Sequence, residues 1–275
     1  LGASQLLPAI SYQIDRGKLE GDLVGILADN GSPVLDECVV RGVNISANGS
    51  EHSLEIRHQG ERRTIKSRWV VDASSRAALL KRNLGIGKQS NHKIGSAWFR
   101  LDTVISVDEW SDSEVWRQQC SKPRRLSTNH LMGPGYWVWI IPLAGDKTSI
   151  GLVADPDQHP LSTFNTFKKF CDWLNMHQPR LADEVLGARD TLMDFCFMNN
   201  LSRDSEQVWS RQRWAVTGES GLFSDPFYSP GSDFIGISNT FITDLISREI
   251  AGEQFPAHAA IRRFRQEIGV LCKID

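Results

Sequence analysis

An acid stands at the end of a strand-like run in RWAVTGESGLFSDPFYSPGSDF, residues 213–234. The run reaches Thr217 and Gly218, and Glu219 follows directly. After a loop come Asp225-Pro226 and Ser229-Pro230-Gly231, then a long apolar-periodic segment. Gly218 and Gly231 permit close approach of a ligand to the backbone. A helix starting near Ser232 offers unpaired N–H groups and the positive end of its dipole. That combination suits an anionic or electron-rich ligand, such as a pyrophosphate or the electron-rich edge of a ring. An ordinary strand–loop–helix with proline punctuation fits the same pattern, so the residues alone leave both readings open.

A second stretch, GYWVWIIPL at 135–143, places Trp137 and Trp139 two residues apart. In a strand both point to one face. Indoles supply no acid or base, so these are packing or wall residues. His130, just upstream, faces a cavity or is a satisfied packing residue; His159, before Pro160, reads as a loop residue. RQRW and IRRFRQ read as solvated faces. No His/Cys/Asp group has the spacing of a metal site.

The elements that must position these residues follow from periodicity. Residues 15–29 read as a helix, with Leu19, Leu23, Ile26 and Leu27 on one face, Asp15 at its start and Asn30-Gly31 at its end. VLDECVVRGVNI, HSLEIRH and TIKSRWVVDA read as three strands, with NISANGSEH and QGERR as turns. Farther on, KIGSAWFRLD, YWVWIIPL and KTSIGLVAD are strand-like, the last two joined by a tight turn at AGDK. Phe164, Phe167, Phe170, Cys171 and Leu174 mark a helix over 162–177, and Phe234, Ile237, Phe241 and Leu245 mark one over 232–251. Ile261, Phe264, Ile268 and Leu271 mark a last helix. The expected fold class is α/β: a nucleotide-binding half formed by 1–90 plus 210–275, and a sheet-rich region over 91–209.

Bulk properties narrow the function classes. With 275 residues the chain has ample material for a core. A formal net charge of −2 gives no reason to expect a nucleic-acid partner. No apolar run approaches the roughly 20 residues of a membrane helix, so no membrane span is expected. The five cysteines, Cys38, Cys120, Cys171, Cys196 and Cys272, are scattered and form no CxxC pair, which favours a reduced, cytoplasmic setting. Glycosylation-type triplets at Asn44, Asn48 and Asn200 read as chance without a secretory signal. The chain opens on Leu1 rather than methionine and is expected to be a piece of a longer protein.

Four segments, in order, resemble the flavin-dependent halogenases, the tryptophan-halogenase-like family of FAD-dependent oxidoreductases and monooxygenases. ISYQIDRGKLEGDL resembles an R-x-x-L-x-x-x-L helix, and RWVVDASSRAALLKRNLGI a V-V-D-A-S/T-G-R segment that returns to the flavin pocket. Trp137-x-Trp139-x-Ile141-Pro142 matches W-x-W-x-I-P. The 218–231 stretch resembles G-D-(5–6 residues)-D-P-x-x-x-x-G leading into a helix. The resemblance covers most of the chain. It implies FAD as cofactor, with Arg16 near the ribityl-pyrophosphate, Asp72 beside the pocket, Gly218 and Glu219 toward the ribityl chain, and Asp225, Pro226 and Gly231 bordering the isoalloxazine. Trp137, Trp139, Tyr228 and Ser229 are then walls of the substrate cavity. A small-molecule substrate and a flavin reductase supplying reduced flavin are the implied partners.

The chain departs from the family pattern in four places. Glu219 replaces an aspartate but keeps its capacity to accept hydroxyl hydrogen bonds. The opening G-x-G-x-x-G is absent; Gly85-Ile86-Gly87-Lys88-Gln89-Ser90 lacks the third glycine and a preceding strand, so it is a false match. The fingerprint and the family's catalytic lysine are expected upstream of residue 1. Pro230 removes one N–H of the backbone pair that holds halide in the family. Tyr228 stands where tryptophan-specific members carry a catalytic glutamate, and a phenol of pKa about 10 cannot act as that base at neutral pH. The expected function is an FAD-dependent oxidoreductase of the halogenase-like kind acting on an aromatic or carrier-bound molecule. Two rivals stand beside it: an oxygenase or dehydrogenase without halogenation, and an incomplete, non-catalytic flavoprotein fragment that serves as a binding module.

Overall fold

A computed structural model describes residues 12–48, 50–88, 90, 92–120 and 122–253. In chain order its elements begin with α1 (Arg16–Asp29), β1 (Cys38–Asn44), β2 (His52–His58), β3 (Glu61–Ser67), β4 (Val70–Asp72), α2 (Leu79–Leu84) and β5 (Gly87–Lys88). There follow β6 (Gly95–Leu101), α3 (Glu114–Gln118), β7 (Asn129–Gly133), β8 (Tyr136–Leu143), β9 (Lys147–Ala154), α4 (Phe167–His177) and α5 (Pro179–Gly187). Then come β10 (Leu192–Met198), β11 (Asp204–Ser205), β12 (Trp209–Ser210), β13 (Trp214–Val216) and α6 (Pro230–Ile250). The chain divides into two compact units, Leu1–Pro33 with Lys93–Asn200, and Val34–His92 with Leu201–Asp275.

The first unit is built on a five-stranded antiparallel sheet of order β10-β6-β9-β8-β7. Period-2 alternation sends Ala97, Phe99 and Leu101 of β6, Val138 and Ile140 of β8, and Ile150 and Leu152 of β9 into one buried face. Helices α4 and α5 cover that face with Phe170, Leu174, Leu181 and Val185. Phe99 meets Phe167 and Phe170 edge-on, with centroids 5.1 and 5.2 Å away, an arrangement the ring quadrupoles favour. Helix α4 starts at 167 rather than 162 because the Thr166 hydroxyl accepts from the Lys169 amide as its N-cap, while 161–163 makes a separate 3₁₀ turn after Pro160. The sequence reading did not anticipate β7, α5 or β10.

Helix α1 forms where expected, with the Asp15 carboxylate accepting from the Gly17 amide. None of its residues is buried: Leu19, Leu23, Ile26 and Leu27 are all exposed. The periodicity fixed the helix but not a partner for its apolar residues.

The second unit holds an antiparallel meander, β1-β2-β3, and a smaller sheet of order β12-β13-β4. The predicted third strand, TIKSRWVVDA, divides. Strand β3 begins early, at Glu61, behind a Gln59-Gly60 turn in which both residues have positive φ, and it stops at Ser67. Val70–Asp72 then leave for the smaller sheet, where β4 runs parallel to β13 with Val70 opposite Trp214 and Asp72 opposite Val216. A small core of Val70, Leu80, Trp214 and Val216 seals this junction. The fully buried His52 accepts from the Ser46 amide at Nδ1, so its Nε2 carries the proton and donates to the Arg213 carbonyl at 3.1 Å. Gly85 is the left-handed C-cap of helix α2, so a helix rather than a strand precedes the Gly85–Gly87 run, and no nucleotide fingerprint begins there. The predicted last helix, 261–271, and Cys272 lie outside the described residues.

Candidate functional site

Strands β4 and β13 end side by side, and the Thr217 amide donates to the Asp72 carbonyl at 3.0 Å. The segments leaving both strands therefore start together. In open parallel sheets the carboxyl ends of the strands are where ligands bind. Here the two segments are Ala73–Ala78 and Gly218–Asp225.

Asp72 organises the first of them. The residue is 7% exposed, and its carboxylate accepts from the Ser74 amide at 2.8 Å and the Leu80 amide at 2.7 Å. The Ser220 hydroxyl lies 3.2 Å from both Asp72 Oδ1 and the Ser75 carbonyl and shares its one proton between them. A buried carboxylate spent on three protein donors positions a turn. Two non-glycine residues of that turn, Ser75 and Ala78, have positive φ (52° and 41°), which costs energy unless the surroundings hold them.

Glu219 sits in a short 3₁₀ turn, Gly218–Ser220, closed by the Gly221 and Leu222 amides donating to the Gly218 carbonyl at 2.9 and 3.0 Å. Gly218 has φ +58°, so its glycine is explained by backbone conformation. The Ser75 hydroxyl donates to Glu219 Oε2 at 2.6 Å, which leaves the other carboxylate oxygen available to a partner. Glu219 is half-buried. Asp72, Gly218 and Glu219, singled out from separate motifs, are thus brought together.

The chain continues to α6. Asp225 accepts from the Phe227 amide at 2.9 Å, and its other oxygen lies 3.2 Å from His92 Nε2. The Ser229 amide donates to the Pro226 carbonyl at 2.8 Å. Tyr228 and Ser229 are both left-handed, with φ 60° and 57°, and both are exposed. Pro230 is the first helical residue and Gly231 the second. A Cβ added to Gly231 would lie 3.9 Å from Phe223 Cε2, an ordinary contact, and Gly231 does not have positive φ. The turn therefore takes its strain at Tyr228 and Ser229. No side chain caps this 21-residue helix, whose first-turn amides carry the positive dipole end. Thr217 and Asn239 join β13 to α6 through a 2.9 Å side-chain hydrogen bond.

The remaining candidates lie in the first unit. Arg16 is in the first turn of α1, where it forms an exposed 2.6 Å pair with Glu20. Trp137 and Trp139 occupy the face of the sheet opposite the main core. Tyr136, Val138 and Ile140 take the core face, so the tryptophans do not pack in the core as a sheet-packing reading expects. Their rings lie 5.7 Å apart, and His130 stands 5.6 Å from Trp137. Register sets His130, Trp139, Gly151, Trp98 and Cys196 in one row across all five strands. The Trp139 Nε1 donates to Ser149 Oγ at 3.2 Å. Burial holds His130 below the usual histidine pKa, so it is neutral at pH 7.

Sequence reasoning missed Ser75, Ser220, His92 and Lys81. Two of these had a signal, since Ser75 follows Asp72 within the V-V-D-A-S segment and Ser220 follows Glu219. Lysine and histidine carry no comparable mark. Among the described residues no group of three or more His, Cys, Asp or Glu side chains is arranged to hold a metal ion. No helix among them is long and apolar enough to cross a membrane.

No protein-family model matches the chain. It is similar to curated flavin-dependent halogenases. One, the flavin-dependent halogenase chlA of Dictyostelium discoideum, is 27% identical over 287 residues, a match covering 96% of this chain and 46% of that protein. The chain thus spans about half the length of that relative. Among solved structures, a flavoprotein/dehydrogenase from Cytophaga hutchinsonii matches with a TM-score of 0.77 at 19% identity, over 95% of this chain and 60% of the other. The flavin-dependent halogenase CmlS matches with a TM-score of 0.75 at 22% identity, over 92% and 44% of the two chains. The fold is the mixed α/β fold of these flavoproteins.

Proposed function

We propose that this chain forms part of an FAD-dependent oxidoreductase of the halogenase-like kind that acts on an aromatic or carrier-bound small molecule. The observation that carries this reading is the pairing of the Asp72 and Glu219 turns at the ends of two parallel strands, followed by a helix whose N-terminus no side chain caps. The similarity to flavin-dependent halogenases supports it.

The residues fit FAD. Glu219 keeps one carboxylate oxygen for the ribityl hydroxyls while Ser75 holds the other. The Gly231 and Ser232 amides of α6 suit the electron-rich edge of an isoalloxazine, with Asp225 and Pro226 at its border. Asp72 acts through its turn. When bound, FAD in its reduced form would supply the electrons that activate oxygen, and this chain's residues would hold the cofactor, orient the substrate and exclude water. The second unit is assigned to the cofactor and the first, which includes the stretch up to Pro33, to the substrate. Trp137 and Trp139 give the first unit an aromatic surface suited to a planar substrate. Tyr228 and Ser229 line the substrate side of their own loop. A separate reductase supplies reduced flavin, and the setting is the cytoplasm.

A second reading, oxygenation or dehydrogenation without halogenation, is favoured by one observation: Pro230 at the first position of α6 has no N–H to offer a halide. The test is the visible spectrum of the purified protein, then assay with reduced flavin, oxygen, chloride or bromide and a panel of phenols, pyrroles and carrier-bound acids. Flavin absorption with halogenated product supports the first reading, and hydroxylated product the second. Absence of flavin from the whole protein overturns both and leaves the chain a binding module.

A further inference from the structure

Lys81 is a lysine only 7% exposed, on helix α2 just past the Asp72 turn. Its Nζ donates to the Gly221 carbonyl at 3.0 Å and to the Asp204 carbonyl at 3.3 Å. A buried ammonium is costly unless its protons are spent on acceptors, and here two go to backbone oxygens of two different segments. Burial first, and Arg203 second, hold this lysine below its usual pKa, while Asp204 and Asp72 oppose that shift.

The position of Gly221 gives the contact its meaning. It follows Glu219 and Ser220 and closes their 3₁₀ turn through its amide. A Cβ at Gly221 would lie 3.3 Å from the Val216 carbonyl oxygen and 3.4 Å from Val216 Cγ2, so the turn sits tightly against the end of β13. The Ser205 hydroxyl donates to the same carbonyl that Lys81 engages. Arg203 and Phe223 exchange backbone hydrogen bonds at 2.8 and 2.9 Å, which fixes the far side of the loop. Lys81 thus ties α2, the Asp204 segment and the Glu219 turn together without touching Glu219.

We infer that Lys81 is a positioning residue for Glu219, acting through the Gly221 carbonyl to hold the turn that presents this carboxylate. The inference deepens the proposed flavin role of Glu219 and rests on that reading only in its second consequence. Its first consequence concerns the loop itself.

The experiment uses the full protein with Lys81→Met, Lys81→Gln and Lys81→Arg, and measures amide hydrogen exchange and flavin affinity. In Lys81→Met the amides of Gly221, Leu222 and Phe223 should exchange about tenfold faster or more, the loss of one charge-assisted hydrogen bond, while those of β13 stay as in the wild type. Lys81→Arg, which keeps the charge and donors, should restore most of the protection; Lys81→Gln, which loses the charge but keeps a shorter, neutral donor, should fall between the two and still exceed the wild-type exchange at 221–223 if the methionine variant does not fold. Flavin affinity should fall about tenfold in Lys81→Met and recover in Lys81→Arg, with a changed visible spectrum in the first. Unchanged exchange at 221–223, or exchange raised equally across α2 and β13, overturns the positioning role. A wild-type protein that binds no flavin overturns the flavin reading, and the exchange result still decides the role of Lys81.

Discussion

The indole of Trp139 lies over Gly151 of the neighbouring strand, so close that a Cβ at residue 151 would fall 2.0 Å from the ring's Cζ2. The two residues are direct partners in the β8–β9 register. Gly151 is therefore the space in which the ring rests. Gly151→Ala should force the indole off the sheet and destabilise the fold by about 1–3 kcal/mol, the usual cost of overpacking. Thermal unfolding together with tryptophan emission checks this; a variant with wild-type stability and emission would show that the ring moves freely.

Asp72 should be among the most sensitive polar residues. Asp72→Asn keeps the shape but replaces one acceptor oxygen with a donor that would face the Ser74 or Leu80 amide. Losing a charge-assisted bond and setting two donors together should cost about 2–3 kcal/mol. Denaturant unfolding reads it directly, and an unchanged midpoint with an unchanged slope contradicts the account.

Stability should decline on mild acidification. Burial, and then the neighbouring His159, hold His177 below the usual histidine value, and burial does the same for His130. A histidine with a depressed folded pKa prefers its neutral form. Its contribution is complete above the unfolded pKa of about 6.5 and is lost as pH falls through that value toward the folded pKa. Melting temperature measured from about pH 7.5 down to pH 5 should fall, and less steeply in His177→Gln. Parallel curves for variant and wild type would remove His177 from the explanation.

The cysteines should separate by reactivity. Burial pushes the Cys171 thiol up to about 11, so almost none of it is thiolate near neutrality, whereas Cys196 is exposed. Alkylation at mildly alkaline pH followed by peptide mapping should mark Cys196 and spare Cys171 until the protein unfolds. Equal labelling of the two in folded protein would place Cys171 outside the core.

Halide dependence should be weak. Pro230 and Gly231 open α6, and only the glycine brings an N–H. A hydrogen bond to an ion contributes about 1.5–3 kcal/mol, roughly a tenfold to hundredfold change in affinity. Halide titration of the flavin spectrum in the full protein should show tighter binding in Pro230→Thr than in the wild type. Tight, saturable chloride binding in the wild type contradicts this, and binding in neither variant favours the oxygenase reading.

The sequence by itself determined what depends on neighbours along the chain. Asp15 caps α1, alternation makes β6, β8 and β9, and apolar periodicity marks α6 from 232, two residues inside its start at Pro230. The order of four short motifs pointed to a flavoprotein. Tertiary structure decided what depends on distant partners. Val70–Asp72 leave the meander because Trp214–Val216 offer a parallel strand and a shared core, which a local pattern cannot reveal. Alternation put Trp137 and Trp139 on one face, but only the packing of α4 and α5 decided which face became the core. Periodicity put the apolar residues of α1 on one face, and the fold leaves them largely exposed. Lys81 reads as a surface residue in any sequence. Its burial became tolerable only when folding brought the carbonyls of Gly221 and Asp204 to its ammonium, because a charge leaves water only where acceptors replace the water it loses.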